Sequence, residues 1–307
     1  MKVFKGAVRS ILDRPFIWVY FGIIALIYSI IDSINPLTAL LMGFNRIGKG
    51  DFLEMIIYSI QIFINIMTNA GTATKALIVF IILLLVVSLL MGVAFSGYFN
   101  VINNVVRKKD KYEGEFFEGL KSYFLRTTFV SLRALLTSIF VIFTALIAAV
   151  PAVIITKSWI SGRQELTIVA AFVDVITVGA LILIFMFFST YISFWFPASI
   201  NNDKSAFLVG KENADKIFWK LSLRYILFFF IFLICHFILS RLSINPEEID
   251  LAGNIKRFAV FVANWFFNTV FFSFAITYVF SAYKLSETYV EEDMDDDYTE
   301  EQYKELN

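Results

Sequence analysis

The sequence predicts an all-α membrane protein, a polytopic transmembrane helical bundle of about six spans with short amphipathic helices on the membrane surface. Three observations carry the prediction. Of the 307 residues, 59% are hydrophobic and 18% aromatic, and the mean hydropathy is +0.75. Only 17% are charged, against about a quarter in a soluble domain; a water-soluble chain would lack the polar surface to cover such a core. The apolar residues gather in runs long enough to cross roughly 30 Å of hydrocarbon. Lysines and arginines collect in alternate connections between those runs, which is the bias that orients spans.

The chain opens on a basic amphipathic segment. Lys2, Lys5, Arg9 and Arg14 alternate with Val3, Phe4, Val8, Ile11 and Leu12, the pattern of a helix lying in a membrane surface. Pro15 then begins the first span, near residues 16–34, a position where a missing N–H costs little. The stretch 52–67 is apolar but interrupted by Glu54, Ser59, Gln61 and Asn65, and reads as an interfacial or re-entrant helix. The second span, near 76–99, is almost purely aliphatic from Leu77 to Leu90. Further spans are expected near 127–156, 167–196, 225–239 and 258–282, with Pro151 and Pro197 marking the ends of the third and fourth. Between them, the stretches around Phe116–Arg126 and Phe207–Lys220 each carry phenylalanines, a glycine and lysines. Each reads as a helix on the inner leaflet, aromatics in the acyl boundary and cations toward phosphates, and together they suggest a faint internal repeat.

With both termini inside, seventeen lysines and arginines fall on the cytoplasmic side and eight outside, with Arg133 within a span. If 52–67 crossed the membrane, every later connection would invert and the bias would be split, so six spans fit better. Residues 1–285 form the membrane domain. Residues 286–307 form a cytoplasmic tail whose ten acidic residues between Glu287 and Glu305 are expected to be solvated and disordered.

An ionisable group inside a span is costly and therefore a candidate for function. Asp174, His236 and Asn264 lie at similar depth, roughly 8–10 Å below the outer boundary at the helical rise, with Asp32 near the outer end of the first span. Asn268 shares a helix face with Asn264, four residues away. These five residues form a candidate polar pocket in the outer half of the membrane, or a set of hydrogen bonds holding helices together. Ser88, Gly92 and Ser96 recur every fourth residue on the second span, a small-residue stripe for close helix packing.

Catalytic signatures are not found. Gly210-Lys211 lacks the glycine spacing of a phosphate loop, and neither a nucleophile elbow nor a His-Glu-x-x-His pair occurs. A single histidine makes a protein zinc cage hard to assemble, and the lone Cys235 excludes an intramolecular disulfide. No cofactor, metal or nucleic acid is expected; the expected partners are membrane lipids and other membrane subunits.

The run SAFLVGK from Ser205 to Lys211, followed by KIFWK from Lys216 to Lys220, together with the unit from Gly97 to Arg126, resembles a degenerate pattern in bacterial multi-span proteins of uncharacterised type. These include the non-catalytic membrane domain attached to some glycerophosphodiester phosphodiesterases. The likeness covers about a third of the chain. It implies a membrane module without hydrolase activity, in a bacterial inner (plasma) membrane. A non-enzymatic accessory or scaffold component of a membrane complex is the leading expectation. A transporter or lipid-handling protein using the polar layer is the alternative, and a membrane enzyme is the third reading.

Overall fold

A computed structural model of the chain describes residues 2–34, 70–201, 205–243 and 251–305. Among the described residues there are seven α-helices and no strand. They are α1 (Lys2–Asp13), α2 (Phe16–Ile34), α3 (Ala70–Val106), α4 (Glu115–Ile160), α5 (Thr167–Asn201), α6 (Ala206–Ser243) and α7 (Leu251–Glu305), with a 3₁₀ turn at Gln164–Leu166 before α5. Five are long and apolar enough to cross a membrane, and the bent pair α1–α2 raises the number to six. This is the helical membrane bundle that the composition predicts. Each expected span lies within one of α2 to α7; the segment 52–67 lies outside the described residues.

The amphipathic N-terminus forms as expected. α1 meets α2 at 88°, so α1 lies along the membrane plane when α2 crosses it. Its Val3, Ala7 and Ile11 are buried, a stripe at helical spacing, and Phe4 sets its ring 5.0 Å from that of Phe274 on α7. Lys5 and Arg9 point outward, the latter 3.7 Å from Asp13. Pro15 ends the corner, where the Trp18 and Val19 amides donate to its carbonyl and start α2.

Five boundaries differ from expectation. Phe116–Arg126 is no separate surface helix: it forms the first turns of α4, whose 46 residues extend about 69 Å at 1.5 Å per residue. Nothing between Arg126 and Thr127 stops a helix, and Gly119 is seated on Asn100. The second basic stretch likewise continues into its span, with a kink at Ile217 (φ −123°, ψ 16°). Pro151 and Pro197 lie inside α4 and α5; a proline within a long apolar helix removes one backbone bond and the helix resumes beyond it. α7 continues as helix to Glu305, through the acidic stretch.

The chain divides into two compact units, Met1–Ser29 with Met91–Val130 and Ser189–Asn307, and Ile30–Leu90 with Ser131–Phe188. The first holds most of the buried side chains. The last turns of α3 bury Tyr98, Phe99, Ile102 and Val105 against Ile17, Phe21, Ile200 and Phe280, while Phe194, Ala214 and Leu221 close around Tyr278 and Tyr283. Two hairpins share a construction that bears on the suggested repeat. In each, a Phe-x-x-Gly run puts its glycine on the preceding helix: Gly119 on Asn100, and Gly210 with room for a Cβ only 3.1 Å from the Phe194 carbonyl. Among the described residues of the second unit few side chains are buried, Leu84, Ala134, Ala152 and Ala170 being among them.

Candidate functional site

In the first unit, His236 on α6 and Asn264 and Asn268 on α7 are joined. The His236 Nε2–H donates to Asn268 Oδ1 at 3.2 Å, and Asn268 Nδ2 donates to Asn264 Oδ1 at 3.3 Å. An amide oxygen can only accept, so this bond requires the proton on Nε2. Asn268 is fully buried, and the imidazole is flanked by Phe232, 4.2 Å between centroids, and Phe267, 5.8 Å. The spacing of four between the asparagines puts both on one face of α7. Three of the five polar candidates therefore form one relay of hydrogen bonds between two helices.

Asp174 belongs to the second unit. The Thr156 Oγ1 near the end of α4 lies 2.9 Å from each of its carboxylate oxygens, donating its one hydrogen to either. Asp32 lies on α2 near its end, and its side chain lies outside the described residues. The small-residue stripe packs as its spacing indicates. Ser88 and Ser96 are fully buried, Ser88 Oγ donates to the Leu84 carbonyl, and Gly92 leaves no room for a Cβ beside Thr128.

Interhelical hydrogen bonds of this kind contribute about 0.6–2 kcal/mol in membranes. Asn268→Leu removes both bonds and leaves His236 facing an apolar side chain. The expected outcome is a loss of about 1–2 kcal/mol of stability, read as a lower melting temperature in detergent, with His236→Phe in the same chain restoring part of it.

A second polar cluster, at the polar end of the first unit, is the one that sequence reasoning missed. Arg14 at the α1–α2 corner pairs with Glu115 at 2.6 Å and also donates to the Lys109 carbonyl at 3.2 Å. Asn100 Nδ2 donates to the Glu115 carbonyl at 2.8 Å. Asn103 and Asn201 exchange two amide bonds, 2.9 and 3.0 Å, tying α3 to α5. Arg107 pairs with Glu287 of α7 at 2.5 Å. Further along, Thr190 with Ser222, Ser193 with Tyr225, and Arg224 with Tyr278 join α5, α6 and α7. The signal in the sequence was the trio Asn100, Asn103 and Asn104 ending an otherwise apolar helix: amides recurring at helical spacing where the span leaves the hydrocarbon.

Local chemistry explains why these groups gather there. Glu115 opens α4, where a carboxylate is favoured by the unpaired amides and the helix dipole. The residue before it, Gly114, has φ +85°, a conformation that suits glycine, and its carbonyl accepts the Glu118 amide. Among the described residues no three His, Cys, Asp or Glu side chains gather as metal ligands would. Comparison with protein-family models, with curated proteins and with solved structures finds no match for this chain.

Proposed function

We propose that this chain is a non-enzymatic accessory or scaffold component of a membrane complex. One observation carries the reading: only 6% of the most apolar 18-residue stretch of α4, and 6% of that of α5, is buried within the chain. Helices of a self-sufficient membrane bundle bury one face against their neighbours by close packing. Here Ile168, Phe172 and Val175 form an exposed stripe on α5 at spacings of four and three, which is one helix face. Such a face suits an apolar helix of another membrane subunit. The polar groups fit the same reading, since His236, Asn264 and Asn268 bond to one another rather than being offered to a ligand.

The test is photo-crosslinking in native membranes from a benzophenone amino acid at Ile168, Phe172 or Val175. A scaffold gives one discrete protein adduct from all three positions, identified by mass spectrometry, and the same protein co-purifies from Asp174→Asn material. Adducts with lipid alone would overturn the reading.

A second reading has its own observation. Thr156 supplies a single hydrogen to Asp174, and a carboxylate has about four acceptor sites, so capacity is left for a cation or a headgroup. A transporter or lipid-handling protein built on it would lose activity in reconstituted vesicles on Asp174→Asn, the variant that leaves a scaffold intact.

A further inference from the structure

Arg224 differs from the other partly buried arginines among the described residues. Arg14 and Arg107 each face a carboxylate, that of Glu115 and that of Glu287. Arg224 on α6 is half-buried and reaches Tyr278 of α7 instead. Its Nη1–H donates to the phenol oxygen, and its guanidinium carbon lies 5.7 Å from the ring centroid. Tyr278 is itself buried, with the ring of Phe228 at 5.2 Å, so it fixes where the guanidinium sits. Among the described residues no carboxylate lies within ion-pair distance of Arg224, and no second acceptor takes its N–H groups. Asp215, earlier on α6, accepts from Tyr191.

A neutral amide would meet the Tyr278 hydroxyl without the cost of drawing a charge out of water. That bond alone therefore does not account for an arginine. The guanidinium presents its donors as a rigid planar fork, and the bond to Tyr278 leaves most of that fork open.

Position indicates what fills it. No Asp, Glu, Lys or Arg follows Arg224 until Arg241. Leu223 and Leu227 are 62% and 56% exposed, and helical spacing puts them on one face with Arg224 at its edge. Trp219, 68% exposed, precedes Arg224 by little more than one turn, and exposed indoles gather at the membrane interface. The guanidinium thus sits where hydrocarbon gives way to headgroups, beside an apolar face open to lipid.

We propose that Arg224 binds the phosphate of a membrane phospholipid, with an acyl chain of that lipid lying along Leu223 and Leu227. Two N–H groups of the fork match two phosphate oxygens, and the phosphate brings the counter-charge. A soluble phosphate ester offers the same oxygens but nothing for the two leucines to hold.

The test uses the full chain purified in neutral detergent. Its melting temperature is followed during titration with phosphatidylglycerol, with diacylglycerol of the same acyl chains, and with inorganic phosphate at constant ionic strength. The wild type is expected to rise with phosphatidylglycerol alone. Arg224→Gln keeps a donor for Tyr278 and should bind phosphatidylglycerol roughly tenfold more weakly. Arg224→Lys keeps the charge and loses the fork; it should fall between the two, and it carries the comparison if the glutamine variant does not fold. Lys211→Gln removes an exposed charge from the start of α6 and should respond as the wild type does. A shift reproduced by inorganic phosphate would overturn the lipid as ligand, and one reproduced by diacylglycerol would show that the phosphate is not read. If the Arg224 variants respond like the wild type, or if Lys211→Gln loses the response equally, there is no site at Arg224.

Discussion

Replacing Glu115 by alanine is expected to cost about 3–5 kcal/mol of stability, the range for removing one member of a buried ion pair. The side chains of Arg14 and Glu115 are only 11% and 6% exposed, so Arg14 would be left as an uncompensated charge with the Lys109 carbonyl as its hydrogen-bond partner. The penalty comes less from the lost attraction than from that stranded charge. Arg14→Ala should therefore be similarly costly, whereas Arg14→Met combined with Glu115→Leu should cost less than either single change. Thermal melting of the four proteins in one detergent measures the coupling. If the double variant loses the sum of the two single losses, the pair makes no contribution as a pair. The position makes the result consequential, because this one contact joins the corner between α1 and α2 to the first residue of α4.

The second large effect is expected at Gly97, where α3 packs against the backbone of α4. A Cβ there would lie 2.5 Å from the Phe116 carbonyl oxygen and 2.8 Å from its ring. The oxygen is backbone and cannot rotate away, so Gly97→Ala must push one helix from the other. Overpacking of this kind costs about 1–3 kcal/mol, outweighing the gain of up to about 1 kcal/mol that alanine brings to a helix interior. Gly6, with nothing within 4 Å, is the control: Gly6→Ala should be neutral or slightly stabilising in the same melting assay. A Gly97→Ala protein as stable as the wild type would mean that the two helices are not in contact at this depth.

The parts of the architecture that were legible in the sequence depend on one-dimensional periodicity. Apolar length located the spans within α2 to α7, and the alternation of Val3, Phe4, Val8, Ile11 and Leu12 with Lys2, Lys5, Arg9 and Arg14 located α1. The Ser88–Gly92–Ser96 stripe was legible for the same reason, since a period of four fixes a face. Contacts across the chain were not. Arg14 and Glu115 are separated by 101 positions and Asn103 and Asn201 by 98, and no local pattern marks either pairing. Depth arguments put Asp174 and His236 in one layer, but depth gives height along a helix and not the direction a residue faces. Their actual partners, Thr156 and Asn268, followed from facing direction. Polar composition does not mark a helix boundary here: Phe116–Arg126 is basic yet joins α4 without interruption, because helix propagation ends at a cap or a breaker, not at a change of solvent.

The central claim is that α4 crosses a membrane, carrying the chain from the basic connection before Glu115 to the short turn after Ile160. It is tested by accessibility of single cysteines to a membrane-impermeant maleimide in sealed vesicles of both orientations, with Cys235→Ser as the background. Lys111→Cys should label only from the cytoplasmic side and Ser161→Cys only from the other. Labelling of both from the same side would contradict the account, because α4 would then enter and leave by one face.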